Sequence, residues 1–262
     1  MTPDWSATSG DYAKHRQGFP PRFFDLILRE GLFAPGMRVL DIGTGTGVVA
    51  RALAARGADV LGLDPAPGQI AAARRLAAEA GLGVRFKEGL AERSGQAAGS
   101  FDLVVAAQCW HWFDRGLAAA EALRVLKPGG ALLICHHDWL PLPGSVPHVT
   151  EFLIEAHNPR WRMGRATGFY PAWAGDLTLG GFGGIGFAGF DHDAVYPRAD
   201  WRGRVRASAG VGGALDGPGV ARFDAELAAL LDARFPVDPL SVPTGCSRSG
   251  ASARSYTNGH KS

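Results

Sequence analysis

Val39-Leu40-Asp41-Ile42-Gly43-Thr44-Gly45-Thr46-Gly47 reads as a buried strand that ends in a carboxylate and then meets alternating glycines before a helix over 48–56. Glycines let the backbone turn sharply and let a ligand approach the main chain with no Cβ in the way. The helix N-terminus behind them presents N–H groups without intrahelical partners, which suit an anionic group such as a carboxylate. A second strand over 59–63 runs into Asp64. An acidic side chain about 20 residues past such glycines is where α/β nucleotide folds hold ribose hydroxyls.

Strand and helix patterns alternate outward from this loop. A helix is expected from the prolines Pro20 and Pro21 to Glu30, with Gly31 as its stop and an apolar face of Phe23, Phe24, Ile27 and Leu28. Further strands are expected at 37–42, 84–87, 101–107 and 131–135, and helices at 67–80 and 114–126. This rhythm implies right-handed βαβ crossovers and an α/β fold with a doubly wound, parallel sheet. Ligands of such sheets bind beyond the carboxyl ends of the strands. Asp41, Asp64, Leu90 and Gln108 all follow strand ends on that edge.

After Cys135 the rhythm breaks. A proline-rich loop over 136–147 leads to helical patterns at 149–157, 170–179, 200–209 and 219–233 and to a sixth strand at 185–190. The glycines Gly180, Gly181, Gly183 and Gly184 read as a loose turn before that strand. The expected organisation is a nucleotide-binding core over 1–136, cap elements with strand six over 137–243, and an atypical tail over 244–262.

Composition narrows the function classes. The formal charge of the 262 residues is +2, yet 244–262 contains Arg248, Arg254 and Lys261 and no acidic residue, which leaves the remainder at −1. A near-neutral body argues against a nucleic-acid partner, which calls for a basic face. No apolar run reaches membrane-span length, and the N-terminus lacks the charged head and apolar core of a secretory signal. Three widely spaced cysteines, Cys109, Cys135 and Cys246, give neither a disulfide frame nor a zinc site. A cytoplasmic protein, monomeric or homodimeric, is expected. His136-His137-Asp138 is not read as a metal site, because adjacent side chains of a strand point to opposite faces.

The dinucleotide fingerprint G-x-G-x-x-G is not met: Val48 stands where its third glycine belongs. The pattern D-x-G-x-G-x-G over 41–47 instead resembles motif I of the class I S-adenosylmethionine (SAM) dependent methyltransferases. Gly62-Leu63-Asp64-Pro65 resembles the following segment of that family, and Ala91-Glu92 its next motif. Ala107-Gln108-Cys109-Trp110-His111-Trp112-Phe113-Asp114 is similar to a segment of small-molecule methyltransferases akin to trans-aconitate methyltransferase, and 124–130 to the turn before strand five. The resemblance covers roughly 11–135.

It implies a Rossmann-like methyltransferase sheet with helical cap insertions, SAM as cofactor, and transfer of a methyl group to a small-molecule acceptor. Asp64 is expected to hold the ribose hydroxyls, and Gly43, Thr44 and Gly45 to present backbone to the methionine part and ribose. Asp41 is expected to order the loop, Pro65 to pack on adenine, Leu90 and Ala91 to line its pocket, and Gln108 to lie beside the methionyl end. Tyr12 and Arg16 are expected to close over the cofactor. His111 is the candidate base for a hydroxyl or amine acceptor, since histidine titrates near neutral pH. A carboxylate acceptor needs no base. Trp112, His137, Trp139, Arg202 and Arg206 are the candidate acceptor contacts, the arginines for an anionic group. Alternatives are a SAM-binding protein without turnover, an RNA-modifying methyltransferase and a dehydrogenase.

The family's sheet usually closes with a seventh, antiparallel strand. Residues 244–262 contain no Val, Ile, Leu or Phe. The expectation is therefore a disordered tail, a missing final strand and a sixth strand left as a partly exposed edge.

Overall fold

A computed structural model describes residues 17–165 and 167–253. The helix α1 is Pro21–Arg29 and strand β1 is Arg38–Ile42. The elements α2 (Val48–Ala54), β2 (Asp59–Asp64), α3 (Pro67–Glu79), β3 (Arg85–Glu88) and β4 (Phe101–Ala107) follow. A single 3-10 turn, Trp110–Trp112, leads to α4 (Arg115–Val125) and β5 (Leu126–Trp139). The second half contributes α5 (Val146–His157), α6 (Trp173–Leu179), β6 (Phe182–Tyr196), α7 (Arg198–Arg206), α8 (Gly217–Arg234) and β7 (Leu240–Ala253).

The strands form one seven-stranded sheet in the order β3-β2-β1-β4-β5-β7-β6. The pairs from β3 through β5 are parallel, as the alternation with helices requires. The order turns back at β1, with β2 and β3 on one side and β4 and β5 on the other. That reversal is the switch point at which open α/β sheets bind ligands.

Local chemistry explains the helix starts. Asp114 caps α4 by accepting the Leu117 N–H at 3.1 Å, and Asp216 caps α8 by accepting that of Gly219 at 2.7 Å. Pro21 and Pro67 occupy first turns, where no N–H is needed. Gly31 and Gly81 follow the ends of α1 and α3 with φ of +68° and +66°, the left-handed stop that glycine adopts at least cost.

The chain divides into two compact units, each with its own core. One comprises Pro20–Cys135, Tyr170–Ala188 and Arg248–Ser262, the described part ending at Ala253. Its core joins Leu40, Ile42, Leu63, Val104 and Trp110 from the parallel strands and the loop after them to Leu177, Phe182 and Ala251. The other comprises Met1–Phe19, His136–Phe169 and Gly189–Ser247, described from Gln17 onward. There Trp201, Val205, Phe223, Leu227 and Val242 pack together. Helix α6, which the sequence assigns to the cap, belongs with the parallel strands: Asp176 accepts the Trp110 indole N–H at 3.1 Å and pairs with Arg115 at 3.3 Å.

Three expectations are corrected. Gly183 and Gly184 are not a turn before strand six but part of β6. The segment Lys127-Pro128-Gly129-Gly130 is no turn before a short strand but part of β5, whose pairing with β4 jumps from Phe101↔Leu126 to Leu103↔Ala131. Gly129, at φ +78°, absorbs the bulge. The most consequential correction concerns the tail. From Thr244 to Ala253 the chain is strand, not disorder, and it lies between β5 and β6. Strand β6 is still the sheet's edge, but it has its neighbour. Residues 254–262, the rest of the expected tail, lie outside the described residues. Among the described residues no helix is long and apolar enough to cross a membrane.

Candidate functional site

The glycine loop leaves β1 through three left-handed residues, Gly43, Gly45 and Gly47, with φ of +66°, +54° and +76°. An L side chain at such φ is strained. Two of the three positions are also crowded: a Cβ on Gly43 would stand 2.9 Å from Cys109 Cβ and Sγ, and one on Gly47 2.7 Å from Phe86 Cζ. Gly45 differs, because a Cβ there would meet nothing within 4 Å. Its outer face is open, while its N–H donates to Asp64 Oδ2 at 3.0 Å.

Asp64 thus meets the loop at the carboxyl end of β2. Its other oxygen accepts the Ala66 N–H at 2.9 Å. A carboxylate has about four lone-pair directions, so roughly two remain for a ligand's hydroxyls. Burial raises the Asp64 pKa, and the two main-chain N–H bonds oppose the rise.

Asp41 is buried under the loop. Its Oδ2 accepts the Thr44 hydroxyl at 2.6 Å, and Oδ1 has no hydrogen-bond partner. Burial, opposed by the Thr44 hydroxyl and the Ala50 N–H and helped by the charge of Asp64, raises its pKa to about 7. Thr44 is tied down at its main chain as well, donating its N–H to the Leu63 carbonyl at 2.8 Å. Asp41 therefore braces the loop from beneath. The buried Oδ1 and the buried Thr46 hydroxyl, equally without a partner, are acceptor capacity for a water or ligand below the glycines.

Around this centre stand the other expected contacts. Pro65 is exposed just beyond β2. Leu90 is exposed after β3, whereas Ala91 is buried. Gln108 follows β4 at φ +66°, one of two non-glycine residues in the left-handed region among those described. Such strain persists where the surroundings impose it and often marks functional sites. Here the Gln108 N–H is held by the Cys135 carbonyl at 2.9 Å. His111 sits half-buried in the 3-10 turn, its ring 4.6 Å from that of Trp112. Cys109 completes the wall: its thiol donates to the Ile42 carbonyl at 3.1 Å and packs where Gly43 lacks a side chain. In the sequence Cys109 stands only as one of three widely spaced cysteines, because a lone cysteine carries no signal until its neighbour is known.

Tyr12 and Arg16 lie outside the described residues. The remaining candidates belong to the other unit. His137 stacks on His192 at 5.2 Å. Trp139 donates its indole N–H to Glu151 at 2.7 Å and lies under the Arg204 guanidinium at 4.8 Å. Arg202 and Arg206 both bind Asp224, Arg202 through Nε at 3.0 Å and through a second, shorter contact, and Arg206 at 2.9 Å. Burial would raise the Asp224 pKa, but the two guanidinium groups hold it below the usual carboxylate range. An anionic acceptor at either arginine would compete with Asp224. Among the described residues no group of three or more His, Cys, Asp or Glu side chains is arranged to hold a metal ion.

Switch-point placement, the open glycine and the carboxylate with spare acceptor capacity define a ligand site on a Rossmann-like α/β sheet of the kind methyltransferases share. The methyltransferase domain family matches residues 40–134, the segment that carries the loop and Asp64. The ubiquinone biosynthesis O-methyltransferase of Azorhizobium caulinodans is 41% identical over 100 residues, 38% of this chain and 40% of that protein. An uncharacterized methyltransferase of Mycobacterium tuberculosis is 36% identical over 132 residues, 50% of this chain and 51% of its own. The chain thus spans about half, or less, of the length of these curated relatives. Among solved structures, a putative type II methyltransferase from Anaeromyxobacter dehalogenans superposes with a TM-score of 0.64 at 23% identity, over 91% of this chain and 97% of that one. At that identity the likeness establishes the fold alone.

Proposed function

We propose that this protein is a SAM-dependent methyltransferase acting on a small-molecule acceptor. The single observation that carries the reading is the pairing of Asp64 with Gly45: a carboxylate with acceptor capacity to spare beside a left-handed glycine whose missing side chain would point into open space. The match of residues 40–134 to the methyltransferase domain and the relatives' names support it.

The residues fit the cofactor. In this reading Asp64 accepts both ribose hydroxyls, and Gly43, Thr44 and Gly45 lay main chain against the ribose and methionine part. Pro65 and Leu90 cover the adenine with Ala91 at its base, and Gln108 borders the methionyl end. Bound SAM supplies a methyl group already activated on a sulfonium, so the protein's task is orientation. The acceptor atom must be held in line at about 3–3.5 Å from the methyl carbon. For a hydroxyl or amine acceptor, His111 takes the proton that leaves as the bond to carbon forms. For a carboxylate acceptor, His111 donates a hydrogen bond and takes no proton. Trp112, beside His111, is the acceptor contact of this reading.

A sheet without its closing strand would favour binding without turnover. With β7 formed, that condition is not met. The test is calorimetric titration of SAM and S-adenosylhomocysteine into the chain and into Asp64→Ala. Micromolar binding is expected for the parent. Loss of two hydrogen bonds to a charged acceptor, about 1.5–3 kcal/mol each, predicts at least a hundredfold weakening in the variant. A folded parent chain that binds neither compound would refute the proposal.

A further inference from the structure

The unit that contains α5 has a groove of about 590 Å³, lined between Leu140 and Asp191, to which nothing above gives a role. Its volume falls within the roughly 300–1,000 Å³ of small-molecule sites. One wall is apolar: Leu140, Pro141, Leu142 and Phe152, of which Leu142 is 51% and Phe152 57% exposed. Large apolar side chains left this open around one concavity are uncommon without a partner.

The charged part of the lining is net negative. Three carboxylates, Glu151, Glu155 and Asp191, face one guanidinium, that of Arg165. Arg165 is already engaged, placing Nε and Nη2 each 3.3 Å from a Glu155 oxygen. It holds this position from a left-handed backbone at φ +61°, a strain the surroundings must support. The His148 Nδ1 accepts the Gly144 N–H at 3.2 Å.

Glu151 is the decisive group. It is buried, 4% exposed, and lines the groove. Its two oxygens accept the indole N–H groups of Trp139 at 2.7 Å and Trp161 at 3.2 Å. Indoles are neutral donors, so they orient the carboxylate without cancelling its charge. Each oxygen keeps a further lone pair. Burial, with the charge of Glu155, raises the Glu151 pKa against the two indole bonds and the charge of Arg165; no cationic side chain forms an ion pair with Glu151 among the described residues, so a cation in the groove favours its charged form.

We propose that this groove binds an amphipathic organic cation: a protonated amine on an apolar body, its ammonium toward Glu151 and Asp191 and its body against Leu142 and Phe152. The site lies within one unit and does not rest on the methyltransferase reading.

Three probes with one skeleton test it: naphthylethylamine, naphthylethanol and naphthylpropionate, each titrated calorimetrically into the full chain. The amine is expected to bind saturably, the alcohol at least about tenfold more weakly through loss of a charged hydrogen bond, and the carboxylate not at all. Asp191 and Phe152 are exposed, so their variants keep the fold, which circular dichroism verifies. Asp191→Asn should weaken the amine about three- to tenfold and leave the alcohol unchanged, whereas Phe152→Ala should weaken both. Equal affinity for all three probes, no binding of the amine, or amine binding indifferent to both substitutions would overturn the proposal. SAM titrated into the same variants should bind as in the parent, which separates failure of this site from failure of the cofactor site.

Discussion

Adding one methyl group to the loop at Gly45 and, separately, at Gly43 should give opposite balances of stability and binding. Both glycines have positive φ, so Ala pays the left-handed penalty of about 1–2 kcal/mol at either position. At Gly45 nothing else is touched within 4 Å. Gly45→Ala should therefore cost the fold about 1–2 kcal/mol and no more. At Gly43 the new Cβ stands 2.9 Å from Cys109 and 3.0 Å from Phe113 Cζ, both fixed in the wall after β4. Overpacking of that kind adds about 1–3 kcal/mol, for a total of about 2–5 kcal/mol. Cofactor affinity should rank the other way relative to the stability lost. The methyl of Gly45→Ala projects into the space where a ligand approaches the main chain beside Asp64, and at least a tenfold loss of SAM affinity is expected. Urea denaturation followed by tryptophan fluorescence gives the first quantity, calorimetric titration the second. The reasoning is refuted if Gly45→Ala binds SAM as the parent does, or if it destabilises the fold as much as Gly43→Ala.

Other expectations follow from the same geometry. Asp41, its pKa raised to about 7, keeps its proton in the folded state where the unfolded chain has lost it. Stability should thus fall as pH rises from about 4 to about 7, by on the order of 4 kcal/mol in all, and then level off. Subtracting the urea-unfolding profile of Asp41→Asn from that of the parent isolates this slope, and parallel profiles would count against it. Arg248 is buried in β7, ion-paired to Glu30 and hydrogen-bonded to the Gly186 carbonyl at 3.0 Å. Arg248→Met should cost about 3–5 kcal/mol, and adding Glu30→Gln should restore part of it; additive losses would mean that the pair is not coupled. Burial, with the charge of Asp138, pushes the Cys246 thiol up to about 12, so mass spectrometry should find Cys246 unmodified after iodoacetamide treatment of the native chain at pH 8 and modified after denaturation.

The parallel half of the sheet was legible because its code is local. Apolar runs, stop glycines and capping side chains each act over a few residues, and the expected bounds of β4 agree with those found. The carboxylates at strand ends were legible for the same reason: Asp41 and Asp64 stand where the chain leaves the sheet. What could not be read depends on distant neighbours. The left-handed backbone of Gln108 is fixed by the Cys135 carbonyl on the next strand, and nothing in a glutamine announces it. Arg202 and Arg206 looked like anion ligands because their partner, Asp224, is on another helix. The Lys127-Pro128-Gly129-Gly130 segment has turn composition, yet a bulge uses the same residues to skip register inside a strand.

Strand β7 is the extreme of that dependence. Thr244-Gly245-Cys246-Ser247-Arg248-Ser249-Gly250-Ala251 has no branched aliphatic or aromatic residue, and by intrinsic preference it should not be a strand. Its place between β5 and β6 changes the balance, since hydrogen-bonded neighbours on both edges satisfy its main chain. The small side chains then become a requirement. A Cβ on Gly245 would stand 3.1 Å from Leu140 Cδ2, and one on Gly250 3.4 Å from Leu32 Cδ1. At Gly245 a larger residue would have to displace Leu140, while at Gly250 a Cβ would make ordinary contact with Leu32. The polar groups are accommodated one by one: the Thr244 hydroxyl donates to the His192 carbonyl at 2.7 Å, and Arg248 reaches Glu30. The strand is therefore encoded mainly in the residues that surround it, and a composition that reads as disorder in isolation is what a crowded central position selects.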